Sequence, residues 1–171
     1  ITVLPMLTLP TVLGSDSSPE PAKTIPSHFS NTFRASNRDV ELVFGEEDDS
    51  HFFIGNPLDM ETKVCLNIEE LVKRSSGIFG KSGTGKTFLT RLLLVGILQS
   101  DAASSLIFDM HNEYGWAGQD SDRNQSVKGL RTLFGSTKVA VVSLDPESSE
   151  RRGNRPDFDV QIGYDEITPS D

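Results

Sequence analysis

The sequence predicts an α/β fold, with strands and helices alternating around an incomplete parallel sheet, behind a smaller β-rich segment. Three observations predict it. Residues 80–87, Gly80-Lys81-Ser82-Gly83-Thr84-Gly85-Lys86-Thr87, match the phosphate-loop pattern G-x-x-x-x-G-K-[ST]. Directly after them, residues 88–98 are apolar on most faces, as a helix buried against a sheet should be. Residues 104–109 and 138–144 then read as strands, the second a nearly continuous β-branched run that suits burial in a parallel sheet.

Composition sets the outer bounds. The 171 residues suffice for one ordinary domain or parts of two, and 36% hydrophobic residues allow a core. A formal charge of −9 argues against a protein that coats nucleic acid generically, though basic groups confined to a pore or a few loops remain compatible with DNA. The single cysteine, Cys65, excludes an intramolecular disulfide and a cysteine-based zinc site. Lying in an alternating run, it reads as a small buried hydrophobe. A reducing, cytoplasmic setting is expected. The chain starts at Ile1 and stops at Asp171, and is read as a fragment.

In chain order, residues 1–14 are apolar but hold Pro5 and Pro10 and no basic leader, so they suit neither a signal peptide nor a membrane span. Residues 15–27 are Ser- and Pro-rich and read as a linker. Residues 40–44 and 51–55 read as short strands either side of an acidic turn, Glu46-Glu47-Asp48-Asp49, which is expected to be a solvated loop rather than a metal site. Residues 63–68 alternate like a half-buried strand, and Ile78-Phe79 is a short apolar run ending at Gly80. The division expected is a partial β-domain with linker over 1–62 and the first part of a nucleotide-binding domain over 63–171. Beyond the buried helix, residues 115–127 read as a polar connection, 127–134 as a short helix, and 146–157 as an exposed loop carrying Arg151, Arg152 and Arg155.

Each residue type in the loop has a separate task. Gly80, Gly83 and Gly85 let the backbone turn and approach a polyphosphate, and successive N–H groups, Lys81 to Thr84 included, converge into an anion nest. The helix that follows points its positive end at the same phosphates. Lys86 brings a full charge to the β- and γ-phosphates, and the Thr87 hydroxyl is placed to join the shell of a Mg²⁺ ion. The nucleotide-binding set is therefore Gly80, Lys81, Ser82, Gly83, Thr84, Gly85, Lys86, Thr87 and Phe88, with Thr87 as the metal ligand and ATP with Mg²⁺ as the expected pair.

A second constellation, Asp109-Met110-His111-Asn112-Glu113-Tyr114-Gly115, begins at the carboxyl end of a predicted strand, the edge where open α/β sheets bind ligands. Asp109 or Glu113 could hold a Mg²⁺-bound water or orient an attacking water. His111 is read first as a hydrogen-bonding turn residue, as are His28 and His51 as structural ones; no second His or Cys stands at zinc spacing.

Taken with residues 76–87, the segment Ile107-Phe108-Asp109-Met110-His111-Asn112-Glu113-Tyr114 resembles the HerA-like ATPases of the HerA–FtsK superfamily, and Phe52-Phe53-Ile54-Gly55-Asn56-Pro57 resembles the exit of that family's barrel into its core. The resemblance spans roughly residues 35–171. It implies a RecA-like ATPase core preceded by a small β-barrel, here a remnant. It also implies homo-hexameric rings that hydrolyse ATP to move along DNA, often with a nuclease partner, and no membrane.

Hydrolysis also calls for a Walker B strand, an apolar run ending in Asp or Asp-Glu. Asp165-Glu166 is a poor candidate, because residues 157–164 alternate polar and apolar as a half-exposed strand does. Thr168, Pro169 and Asp171 instead make a helix start. Walker B, the sensors and the arginine finger are expected beyond Asp171, and the fragment alone is expected to be inactive. Arg151, Arg152 and Arg155 read as solvated rather than as that finger. The alternative is a nucleotide-binding module without catalysis of its own. A small-molecule kinase lacks a visible lid and acceptor site, and for a GTPase Asn154-Arg155-Pro156-Asp157 is a poor base-reading motif.

Overall fold

The computed structural model describes residues 4–10, 18–120 and 125–163. The chain divides into two compact units, Ile1–Ile78 and Phe79–Asp171. Both mix helices with small sheets, the α/β character expected, and every sheet among the described residues is two-stranded.

In the first unit, β1 (Leu7–Thr8) pairs antiparallel with β2 (Glu20–Pro21). Next comes α1 (Asn37–Phe44), which corrects the strand read at 40–44. Its cause is local. The Ser36 hydroxyl accepts the Asp39 N–H at 3.2 Å while the Asp39 carboxylate accepts the Ser36 N–H at 2.7 Å, a reciprocal cap. Val40, Val43 and Phe44 then fall on one helical face, with Val40 buried. The helix stops at Gly45, whose φ of 76° ordinary residues avoid.

Strands β3 (His51–Gly55) and β4 (Val64–Asn67) form an antiparallel hairpin with Phe52 opposite Leu66 and a register shift between Phe53 and Gly55. Here the strand reading at 51–55 holds, and that at 63–68 holds for residues 64–67. Cys65 of β4 and Ile68, which opens α2 (Ile68–Val72), are the most buried side chains of this unit. Burial pushes the Cys65 thiol up, as an inert core cysteine requires. The acidic turn is a structural one. Asp48 accepts the N–H groups of Ser50 at 2.8 Å and His51 at 2.7 Å, and Glu47 pairs with Lys63.

The second unit is built on α3 (Lys86–Ser100), the helix predicted after the phosphate loop. The connection read at 115–127 contains a hairpin, β5 (Gly118–Asp120) with β6 (Gln125–Val127). Helix α4 (Leu130–Lys138) starts and ends later than the 127–134 reading and is interrupted at Gly135. Its last residue, Lys138, donates to the Leu98 carbonyl at 3.0 Å and pairs with Asp101 at 2.7 Å, so a cation closes the carboxyl end of α3.

The chain then makes a small β-α-β crossover. Strand β7 (Val142–Ser143) runs parallel to β8 (Phe158–Asp159), with α5 (Pro146–Arg151) between them. Helix α5 corrects the first part of the loop read at 146–157, and residues 152–157 are irregular as read. Asp145 caps it by accepting the Ser148 N–H at 3.0 Å, and Pro146 takes the first turn, where its missing N–H is harmless.

Two strand readings are corrected. Residues 104–109 form no strand, and of residues 138–144 only 142–143 do. A strand exists through its neighbours, and 104–109 has no ladder partner among the described residues. Leu106 and Phe108 are accordingly exposed. Residues 164–171, with Asp165-Glu166 and the helix start at Thr168, lie outside the described residues. No helix among the described residues is long and apolar enough to cross a membrane.

Asp157 fastens the crossover: its carboxylate accepts the Val141 N–H at 2.8 Å and pairs with Arg131 at 2.5 Å. The hydrogen bond from Val141, then Arg131, hold its carboxyl below the usual range. A lowered folded-state value means that the native state binds fewer protons, so the stabilisation is complete above the unfolded value of about 3.9 and is lost as pH falls through the folded value. Urea unfolding of Asp157→Ala should therefore show a stability deficit at pH 6 that shrinks at pH 2.5; an equal deficit at both would contradict the assignment.

Candidate functional site

The candidate phosphate loop, residues 80–87, lies wholly within the second unit. Gly83 (φ 76°) and Gly85 (φ 88°, ψ 15°) both hold left-handed backbone, and Gly85 is the N-cap of α3. No side chain caps that helix start, so its first-turn N–H groups face the loop without an internal acceptor. Three donors meet at the Lys81 carbonyl: the Thr84 hydroxyl at 2.7 Å, Lys86 Nζ at 2.7 Å and the Thr84 N–H at 3.4 Å. The Lys86 ammonium thus lies across the loop, and among the described residues it has no carboxylate partner. Lys81, Ser82 and Phe88 are exposed.

The second constellation folds into a turn built by Asp109. Its Oδ1 accepts the Glu113 N–H at 2.8 Å, and its Oδ2 accepts those of Tyr114 at 2.9 Å and Gly115 at 3.4 Å. Asn112 takes the left-handed conformation (φ 55°) that the reversal needs. Both Asp109 oxygens are thereby engaged with the backbone. The carboxylate turned to the phosphate loop is that of Glu113: Thr87 Oγ1 donates to Glu113 Oε2 at 3.3 Å in a half-buried setting. His111 is exposed.

The structure therefore brings Thr87, Glu113 and Asp109 together, although 104–109 is not a strand, while the Lys86 ammonium lies at the Lys81 carbonyl. It adds Arg91, which the sequence reading passed over. Arg91 Nη2 donates to the Glu113 carbonyl, one helical turn beyond Thr87. The available signal was its isolation as the one cation in the apolar run of residues 88–98. Arg151 pairs with Glu147 at 3.3 Å, and Arg152 donates to the Ser148 carbonyl at 3.2 Å. Asp157 is committed to Val141 and Arg131, away from any base-reading role.

A family model described as Helicase HerA, central domain matches residues 52–171. The chain belongs to the HerA central-domain family. HerA membership makes this a domain of the HerA–FtsK ATPase type, which binds ATP and implies a divalent metal with it. Comparison of the chain with curated proteins and with solved structures gave no match.

The residues present fit a Mg²⁺-nucleotide. The uncapped start of α3 suits phosphate oxygens. The Thr87 hydroxyl and Glu113 carboxylate are hard oxygen donors, and magnesium needs only one or two such groups when phosphates and water supply the rest. The left-handed geometry of Gly85 gives a test that needs no nucleotide. Gly85→Ala should lower unfolding stability in urea by about 1–2 kcal/mol, the cost of a Cβ in that conformation; an unchanged midpoint would show that the loop is not held as described.

Proposed function

We propose that this chain carries the nucleotide-binding part of a RecA-like core whose ATP hydrolysis drives movement along DNA. In this reading residues 1–62 are the remnant of a small β-barrel with its linker, and residues 63–171 begin the ATPase domain. The observation that carries the proposal is the contact of Thr87 with Glu113, which joins the phosphate loop to a carboxylate outside it.

The residues divide the work. The N–H groups of the loop and of the first turn of α3 bind phosphate oxygens, and the glycines keep that surface open. The Lys86 ammonium leaves the Lys81 carbonyl for the β- and γ-phosphates, exchanging a neutral acceptor for an anionic one. Phe88, exposed at the start of α3, borders the same ligand. Mg²⁺, when bound, offsets charge on the phosphates. Thr87 offers it an oxygen, while Glu113 accepts a hydrogen bond from, and so orients, the water that attacks phosphorus. Asp109 sets the Glu113 backbone through the turn. HerA-type domains work as oligomers on DNA, which supports a homo-hexamer here, with a nuclease as a further partner and a cytoplasmic setting.

In the full-length protein Lys86→Ala should reduce ATP turnover by about 100- to 1,000-fold, as loss of one preorganised charge-stabilising donor does. Phosphate release is the measurement, and turnover at the parental rate would remove the proposal.

A further inference from the structure

We infer that Arg91 is a positioning residue for phosphoryl transfer, acting through Glu113. The inference rests on the ATPase reading above and names a residue which that reading does not need.

The geometry is a two-point clasp. Thr87 and Arg91 stand four residues apart, so their side chains share one face of α3. Thr87 meets the Glu113 carboxylate at 3.3 Å, and Arg91 meets the main-chain carbonyl of the same residue. One contact alone would leave Glu113 free to pivot; two contacts, to its side chain and its backbone, fix where the carboxylate stands. Asp109 adds a third constraint by holding the Glu113 N–H at 2.8 Å. Glu113 is thus held at its N–H, its carbonyl and its carboxylate, while the other three residues from 110 to 112 are exposed.

The state of Arg91 argues that this arrangement is not simple packing. Its Nε is buried and has no hydrogen-bond partner among the described residues. A buried unpaired donor on a cationic group is unfavourable. A leucine at this position would fill space in an already apolar helix without that penalty. What arginine adds is reach and a planar donor head at the Glu113 carbonyl.

The full-length protein provides the test, through Arg91→Ala, Arg91→Lys, Glu113→Gln and the double variants. Arg91→Ala should lower kcat by about 10- to 100-fold, below the roughly 100- to 10,000-fold that an acid–base group itself contributes, with KM for ATP changed by less than about threefold. Arg91→Lys, which keeps one donor, should recover part of the loss. In the Glu113→Gln background, Arg91→Ala should have no further effect, because both act through one group. Without nucleotide, the N–H groups of residues 113–115 should exchange faster in Arg91→Ala than in the parent.

Parental kcat in Arg91→Ala would overturn the inference, as would a loss of equal size in the two backgrounds or one confined to KM. If Arg91→Ala does not fold, the same cycle is read with Arg91→Lys, where additivity with Glu113→Gln overturns it equally. Failure of the ATPase reading looks different: Lys86→Ala would then retain turnover, whatever Arg91 does.

Discussion

The second unit depends on the grip that the first two turns of α3 hold on Glu113. Gly85 sets the direction in which the helix leaves the phosphate loop, since its left-handed backbone turns the chain before Lys86. Thr87 and Arg91 then reach Glu113 from one helical face. A phosphate loop without this contact would be an anion nest and nothing more. A turn at 109–115 without it would be tied together only by the Asp109 carboxylate.

The grip is passed on through a closed circuit of hydrogen bonds. The Tyr114 and Gly115 carbonyls accept the N–H groups of Leu130 at 2.9 Å and Arg131 at 3.1 Å, so α4 starts on the same turn. At its other end Lys138 returns to the Leu98 carbonyl in the last turn of α3 and to the Asp101 carboxylate beyond it. Arg131 extends the circuit through Asp157 to Val141 and the β7/β8 crossover. The turn is therefore braced by helices on two sides, as the role proposed for Glu113 requires, because a loosely held group spends little time in the reactive geometry.

The turn over residues 80–87 and α3 were legible because their signal is local: three glycines at fixed spacing, a Lys-Thr pair and a long apolar run. The same locality explains the errors. Val40 to Phe44 is rich in β-formers, yet the cap formed by Ser36 with Asp39 lies upstream of that run and decides for helix. Pro146 and the three arginines suggested an exposed loop, where Asp145 starts a short helix. Residues 104–109 have a strand's composition but no ladder partner, and pairing is a property of two segments that one segment cannot announce. Of the site, the motif residues and the carboxylates were visible one by one. That Asp109 caps the turn while Glu113 faces Thr87 depends on the reversal at Asn112, and Arg91 was hidden by the apolar run around it. The resemblance to HerA-like ATPases could be read from residues 107–114, and the family match over 52–171 bears it out.

The central claim is that Glu113 serves the chemistry of a site whose phosphate grip lies elsewhere. Its most direct test is Glu113→Gln in the full-length protein, with ATP binding followed by calorimetry and phosphate release followed in a single turnover. The account predicts ATP affinity close to that of the parent together with phosphate release slowed by about 100-fold or more, the low end of what general acid–base groups contribute. Release at the parental rate, or an affinity that collapses with the rate, would contradict it.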